Sequence, residues 1–442
     1  MMPSAKWSYF LLLAAWGCVM WPSNIVAQDL TSATEEVYQQ LKQRKYRKLH
    51  SNMNDGLQSM LTTKKLRTSL DRVFKLFGEI QKLGPIHLDT AEGRLSTTSE
   101  IYLEKNTLNM LLSFSGDKLS QFQIIPQSYG FPDDAKNKVF GKKRLNVQYD
   151  TFKLSAELLF PITNTPPPVV IIVHGSGPMD MDGTIGPNKV YQDLALELAL
   201  RGVATLRYDK RSKVYPKNFE KGIEFSHWDE TLNDVQAAIN LLLEQTEIDT
   251  SRIFVAGHSL GGYLAPMIGE SFNNLAGIIM LAGPSEPLYE LIPEQLDYIF
   301  GLQPKQKWIY RRIVKKARQE ADLLRSHDYD QLKNPKYATA YWPVSYIKNL
   351  ENYAPIPTLD SLTIPSLVLQ GHRDYQVPEH SQYTPIVDSC GNNPLVSFYL
   401  FADLNHLFIP GEGKPSNLEY FRAGHVSPEV AEVIAGWIAE TR

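Results

Sequence analysis

The chain predicts an α/β fold. It reads as a mostly parallel sheet flanked by helices, interrupted by one helical insertion and preceded by a small α+β domain. Three observations carry this. From Val169 onward, short apolar runs such as VVIIV, RIFVA and AGIIML alternate with helical stretches such as YQDLALELAL and NDVQAAINLLL. Runs of that length without polar alternation suit strands buried on both faces, as in a parallel sheet with right-handed crossovers. The alternation stops once, between Pro284 and Pro357, where the sequence is helical and rich in Tyr, Trp and basic residues. Ahead of the alternating region, two helical segments are followed by a strand-like stretch.

The first segment, residues 1–27, reads as a signal peptide. Lys6 supplies the positive end, and Tyr9 to Met20 is an apolar run too short to span a bilayer. Cleavage after Ala27 predicts an exported, periplasmic or extracellular protein. A competing reading is lipoprotein processing at Cys18, which follows Gly17, although Trp16 suits that motif poorly. The chain holds two cysteines, Cys18 and Cys390, so removal of the signal leaves Cys390 alone. Export then draws no stability from an internal disulfide, and the core has to suffice.

Residues 31–127 form the expected small domain. Val37, Leu41 and Leu49 sit at helical spacing, and Leu66, Leu70, Val73, Phe74 and Phe77 repeat the pattern up to Gly84-Pro85. Alternation over Leu108 to Phe114, a turn at Ser115-Gly116-Asp117 and resumption at Leu119 predict a strand pair. Gln127 to Lys143 reads as a linker, and residues 139–442 as the main α/β domain. Residues 284–357, inserted after its sixth strand, overhang the strands' carboxyl ends and read as a helical cap; the competing reading is a surface bundle that touches no substrate.

The chemistry points to a serine nucleophile. Gly257-His258-Ser259-Leu260-Gly261-Gly262 lies directly after an apolar strand and before a helix. A serine at a sharp strand-to-helix turn needs small neighbours, and the turn aims its hydroxyl and the Leu260 amide at one point. A hydroxyl also needs a base to remove its proton. His406, after the strand LVSFYLF, is the candidate base, and Asp374, after IPSLVLQG, the acid that orients it. Asp403 is a rival acid by nearness in sequence, although a loop turn accounts for it. The second oxyanion donor is expected in His174-Gly175-Ser176-Gly177-Pro178, with the Ser176 amide first and Gly177 second. His174 and His258 read as structural. Arg207-Tyr208-Asp209-Lys210-Arg211 reads as an ion-pair cluster, with substrate-carboxylate binding as the alternative.

Composition excludes several classes. With 45 Lys and Arg against 48 Asp and Glu, the net charge is −3. No basic stripe suggests nucleic acid or anionic lipid, and no CxxC, HExxH or histidine cluster suggests a metal. No second membrane-length apolar run follows the leader.

The segments HGSGPMDMDGTIGPNKVYQDLALELALRGVATLRYDKR, GHSLGG, QGHRDYQVP and LNHLF together resemble bacterial secreted α/β-hydrolases of the carboxylesterase type. These are related to the dienelactone-hydrolase and prolyl-oligopeptidase catalytic domains. The likeness covers roughly Val139 to Arg442. Thr31 to Pro126 is similar to a small domain of unknown function that precedes such enzymes. The resemblance implies an α/β-hydrolase fold and cofactor-free cleavage of a small-molecule ester with a short acyl group through an acyl-enzyme. It places the triad on Ser259, Asp374 and His406. Met179 and Met181 depart from the more polar loop of relatives, which bears on the leaving group. Ser259 argues against dienelactone hydrolases proper, which carry Cys there, and against dehalogenases, which carry Asp. A serine peptidase or an acyltransferase shares the triad, and an inactive scaffold serving as a binding module is the non-enzymatic reading. A prolyl-oligopeptidase would usually carry a far larger N-terminal propeller.

Overall fold

The computed structural model describes residues 27–89, 95–127, 129–220, 222–302, 307–332 and 343–441. The expected signal peptide, including Cys18, lies outside the described residues apart from Ala27. The chain forms two compact units. One comprises the described residues up to Tyr129 with Tyr420–Ala423; the other comprises Gly130–Glu419 with Gly424–Arg442.

The first unit packs helices against an antiparallel meander. Helices α1 (Ala27–Lys42), α2 (Tyr46–Ser51), α3 (Asp55–Met60) and α4 (Thr63–Phe77) precede four strands, β1 (Ile80–Asp89), β2 (Leu95–Leu103), β3 (Thr107–Ser115) and β4 (Lys118–Pro126), in that spatial order. The apolar positions expected on the helices, from Val37 to Phe77, are all buried in one cluster with the inward faces of the strands. The strand content exceeds the expectation. The helical pattern does not run to Gly84-Pro85; α4 stops at Phe77 because Gly78 takes a positive φ of 85°. Strand β1 then carries Gly84-Pro85 at a register shift between Leu83 and Ile86. Strand β2 shows no apolar alternation because two of its inward positions are polar. Thr97 and Ser99 are buried, with Thr97 Oγ1 2.9 Å from Thr34 Oγ1 and Ser99 Oγ donating to Gly84 O at 3.1 Å.

The second unit is built on an eight-stranded sheet. Its strands are β5 (Gly141–Tyr149), β6 (Phe152–Phe160), β7 (Val169–Val173), β8 (Ala204–Tyr208), β9 (Ile253–His258), β10 (Gly277–Leu281), β11 (Ser366–Gly371) and β12 (Val396–Phe401). The spatial order is β12-β11-β10-β9-β7-β8-β6-β5. The six strands from β12 to β8 are parallel, and β6 and β5 add antiparallel at one edge. Every residue of β7, β8, β9, β10 and β11 is buried, which explains the unbroken apolar runs. Helices α5 (Val190–Leu200), α6 (Asn233–Leu243), α7 (Leu260–Ser271), α11 (Pro355–Ser361), α12 (Thr384–Cys390) and α13 (Pro428–Glu440) complete the α/β pattern. The chain leaves β7 for β8 on one side and passes to β9 on the other. That reversal opens a crevice at the strands' carboxyl ends, where ligands bind in open α/β sheets. Between β10 and β11 the described residues contain helices and no strand: α8 (Leu288–Gly301), α9 (Lys307–Arg325), a short helical turn at Tyr329–Leu332, α10 (Val344–Asn349) and then α11. No helix among the described residues is long and apolar enough to cross a membrane.

One buried carboxylate ties the C-terminal segment to the sheet's helical layer. Asp193 of α5 is buried, accepts from Val426 N at 3.2 Å and pairs with His425 Nδ1 at 3.1 Å. The hydrogen bond to Asp193 raises the His425 pKa, against the desolvation that lowers it, with Asp133 adding to the rise and Lys136 opposing it. A raised pKa contributes stability below the unfolded histidine value of about 6.5 and loses it as pH climbs through the folded value. The loss of Tm in His425→Ala is therefore expected to be larger at about pH 5.5 than at about pH 9, read by thermal denaturation at both. An equal loss at the two pH values contradicts the charged pair.

Candidate active site

Ser259 stands at the carboxyl end of β9 with φ 56° and ψ −114°, a conformation costing a non-glycine residue about 1–3 kcal/mol. The packing of the turn enforces it. Helix α7 starts at the next residue, and Tyr263 N donates to Ser259 O at 2.9 Å. A Cβ on Gly257 would lie 2.0 Å from Gly261 O, and one on Gly261 would lie 2.6 Å from Val173 O at the end of β7. The glycines two before and two after the serine are thus required by close backbone approach, as their spacing in the sequence suggested.

His406 and Asp374 meet one another. His406 Nδ1 donates to Asp374 Oδ2 at 2.6 Å, and both side chains are buried. The remaining acceptor capacity of Asp374 is filled: Oδ1 takes Gln376 N at 2.7 Å and Val377 N at 2.9 Å, and Oδ2 takes Gln370 Nε2 at 3.1 Å. Four donors thus converge on the buried Asp374 carboxyl group and fix its orientation toward the His406 ring. The rival Asp403 has an exposed side chain, and its backbone carbonyl accepts from Gly411 N at 3.0 Å. The His406 loop is shaped by Asn405, whose Oδ1 accepts from Leu407 N at 2.9 Å.

The three segments are cross-braced around Ser259. His258 Nε2 donates to His406 O at 2.8 Å, and its ring lies 4.9 Å from the His406 ring. Its Nδ1 is 3.2 Å from Tyr191 Oη, which accepts from Gly175 N at 3.1 Å. Burial, followed by the nearby His406, pushes the His258 pKa down to about 3, so the ring is neutral and one Nδ1 lone pair is available to the tyrosine. A Cβ on Gly175 would sit 3.2 Å from Ser259 Cβ, which brings the loop after β7 against the Ser259 turn. Leu260 is the first residue of α7. Ser176 and Gly177 follow in the β7 loop, where Gly177 has a φ of 86°.

The charged segment after β8 anchors that loop. Lys210, buried, donates from Nζ to Gly175 O at 2.9 Å and pairs with Glu230 Oε1 at 2.8 Å. Lys210 N donates to Met179 O at 3.0 Å, and Met181 N donates to Asp209 Oδ1 at 2.9 Å. Arg207 pairs with Glu157 and Asp182, and Arg211 with Asp234. The ion-pair reading of this segment therefore holds, and its cations are engaged by protein carboxylates. His174 packs edge-on against Tyr191 at 5.5 Å and Tyr208 at 5.1 Å. Burial, with the Lys210 charge second, pushes its pKa to about 3 against backbone hydrogen bonds to Tyr208 and Asp180. Tyr191, Gln370 and Asn405 escaped the sequence reading, and Lys210 was read only as part of the ion-pair cluster. Of the three, only Asn405, an amide-capping residue beside the histidine, left a usable local signal.

The crowding at the elbow has a direct test. Gly257→Ala is expected to lower unfolding free energy by about 1–3 kcal/mol, the range for overpacking, in urea denaturation. A wild-type midpoint contradicts the close approach of Gly257 to Gly261.

Comparison with known proteins identifies the family. Residues 165–409 match the hydrolase family described as serine aminopeptidase, S33. Esterase EstD of Thermotoga maritima is 34% identical over 323 residues, covering 72% of this chain and 72% of that protein. Among solved structures, an esterase of Pyrococcus furiosus is 14% identical with a TM-score of 0.44, covering 72% of this chain and 97% of that one. Est1E from Butyrivibrio proteoclasticus is 18% identical with a TM-score of 0.42, covering 67% of this chain and 98% of that one. The chain is a member of the serine aminopeptidase S33 family of hydrolases, on an α/β-hydrolase fold with an N-terminal antiparallel-sheet unit.

Proposed function

We propose that the chain is an exported serine esterase that cleaves carboxylic esters of short acyl groups, with residues 31–127 as an accessory domain and 284–357 as a cap over the site. The observation that carries the reading is the buried His406–Asp374 bond of 2.6 Å, on the same sheet edge as a serine in a strained strand-to-helix turn. In this mechanism Asp374 holds His406 with Nδ1 protonated, leaving Nε2 as the base. Ser259 Oγ attacks the ester carbonyl while its proton passes to His406 Nε2. The Leu260 amide and the Ser176 amide, with Gly177 as the alternative, stabilise the oxyanion. Collapse of the tetrahedral adduct expels the alcohol, which takes the proton from His406 and leaves an acyl-Ser259. Water then attacks the acyl-enzyme, giving its proton to His406, and the carboxylic acid departs as Ser259 is restored.

Support for an ester substrate comes from the relative named as an esterase, which aligns over 72% of this chain. The family's description as serine aminopeptidase favours peptide amides as a second reading. Parallel assays on p-nitrophenyl acetate and on aminoacyl p-nitroanilides separate the two. The esterase reading expects turnover of the first to dominate, and dominant anilide turnover reverses it.

The roles of the residues are tested by substitution. Ser259→Ala is expected to lose about 10⁴-fold or more in kcat on p-nitrophenyl acetate with unchanged thermal denaturation, and His406→Ala to lose as much in kcat. Wild-type turnover in Ser259→Ala contradicts the nucleophile.

A further inference from the structure

Helix α8 of the insertion reaches the loops that carry Asp374 and His406. Its Gln295 donates from Nε2 to Gln376 O at 2.7 Å. That carbonyl shares a peptide unit with the Val377 N–H, which donates to Asp374 Oδ1 at 2.9 Å. The unit is planar and trans, so its C=O and N–H point in opposite directions, one to Gln295 and the other to Asp374. Asp374 Oδ2 in turn takes His406 Nδ1 at 2.6 Å. Three hydrogen bonds and one rigid peptide therefore join a side chain of the insertion to the imidazole.

The same loop is held from the sheet. Gln370, near the end of β11, donates from Nε2 to Val377 O at 2.8 Å and to Asp374 Oδ2 at 3.1 Å. Gln295 supplies the opposing support. Tyr298 lies three residues further along α8, on the same face. Its ring stacks on that of Tyr375, beside Asp374, with centroids 5.5 Å apart and planes at 11°. Its Oη donates to Pro415 O at 2.9 Å, on the segment that follows His406. At the root of the insertion, Ser285 N and Oγ both donate to the buried Gln382 Oε1 at 3.0 Å, again on the Asp374 side.

These contacts could hold the insertion down and do nothing more. The choice of acceptor argues otherwise. Hydrogen bonds in a chain polarise one another, so a donor at Gln376 O strengthens the Val377 N–H as a donor to Asp374. Tyr298 constrains the loops on both sides of the Asp374–His406 pair.

From this path we infer that Gln295 and Tyr298 are positioning residues for the Asp374–His406 pair, so that the geometry of the base depends on where α8 sits. The inference rests on the proposed role of His406 and goes beyond it by giving the insertion a part in the chemical step.

The test reads the pair with and without turnover. In the wild type the proton between His406 Nδ1 and Asp374 is expected to give a downfield proton NMR resonance that is missing in His406→Ala. Gln295→Met keeps the length of the side chain and removes the donor. It is expected to lower kcat on p-nitrophenyl acetate by about tenfold, to leave KM within about twofold, and to shift or broaden that resonance at unchanged Tm. Tyr298→Leu, which removes the stack and the hydroxyl, is expected to act in the same direction and decides the matter if Gln295→Met does not fold. Wild-type kcat and resonance in both variants overturn the inference, whether or not Tm falls, because a purely structural contact leaves both unmoved. A rise in KM alone also overturns it, making α8 a wall of the substrate site and nothing else. If the wild type hydrolyses no ester, the esterase reading fails, and the resonance decides alone: moved in Gln295→Met supports the brace, unmoved overturns it.

Discussion

The molecule's site depends on one backbone constraint, the left-handed turn that joins β9 to α7 at Ser259. Nothing about a serine favours φ near 56°; the conformation persists because the surrounding main chain leaves no alternative. Gly257 faces Gly261, Gly261 faces the end of β7, and Gly262 faces Gly283 after β10, each at a distance that excludes a Cβ. Three neighbouring strands therefore converge on the turn. Their convergence brings the β7 loop against the serine.

Around that turn, buried polar groups do the positioning. A line of hydrogen bonds runs from Gly175 N through Tyr191 and His258 to the backbone of His406, joining the β7 loop, the Ser259 turn and the His406 loop. Lys210 fixes the other side of the same loop through Gly175 O and is itself compensated by Glu230. Removing either charge alone would strand its partner in the core, the costly outcome for buried pairs. The neutral state of His258 matters here. A protonated ring could not accept from Tyr191, and its charge would sit beside the imidazole proposed to take the proton.

Much of this was legible in the residues because it is local. Strands buried on both faces announce themselves as apolar runs, and the glycine spacing around Ser259 reports a tight turn. Asp374 follows such a run, and His406 follows the apolar but half-exposed edge strand β12, each by a few residues, so the sheet topology gathers them at one edge. What escaped was non-local or polar. Strand β2 hides because Thr97 and Ser99 face inward and find partners only in the folded unit. Strand β1 hides behind Gly84-Pro85. Tyr191 reads as one more residue of an apolar helix, and only the fold brings its hydroxyl to His258. Gln295 and Gln376 are likewise 81 residues apart, and no spacing along the chain joins them.

The central claim is that Ser259 is made nucleophilic by His406. Treating the protein with a fluorophosphonate and mapping the adduct by tandem mass spectrometry addresses it directly. The account predicts a single adduct on Ser259 in the wild type and none in His406→Ala. An adduct on another serine, or undiminished labelling of Ser259 without the imidazole, contradicts it.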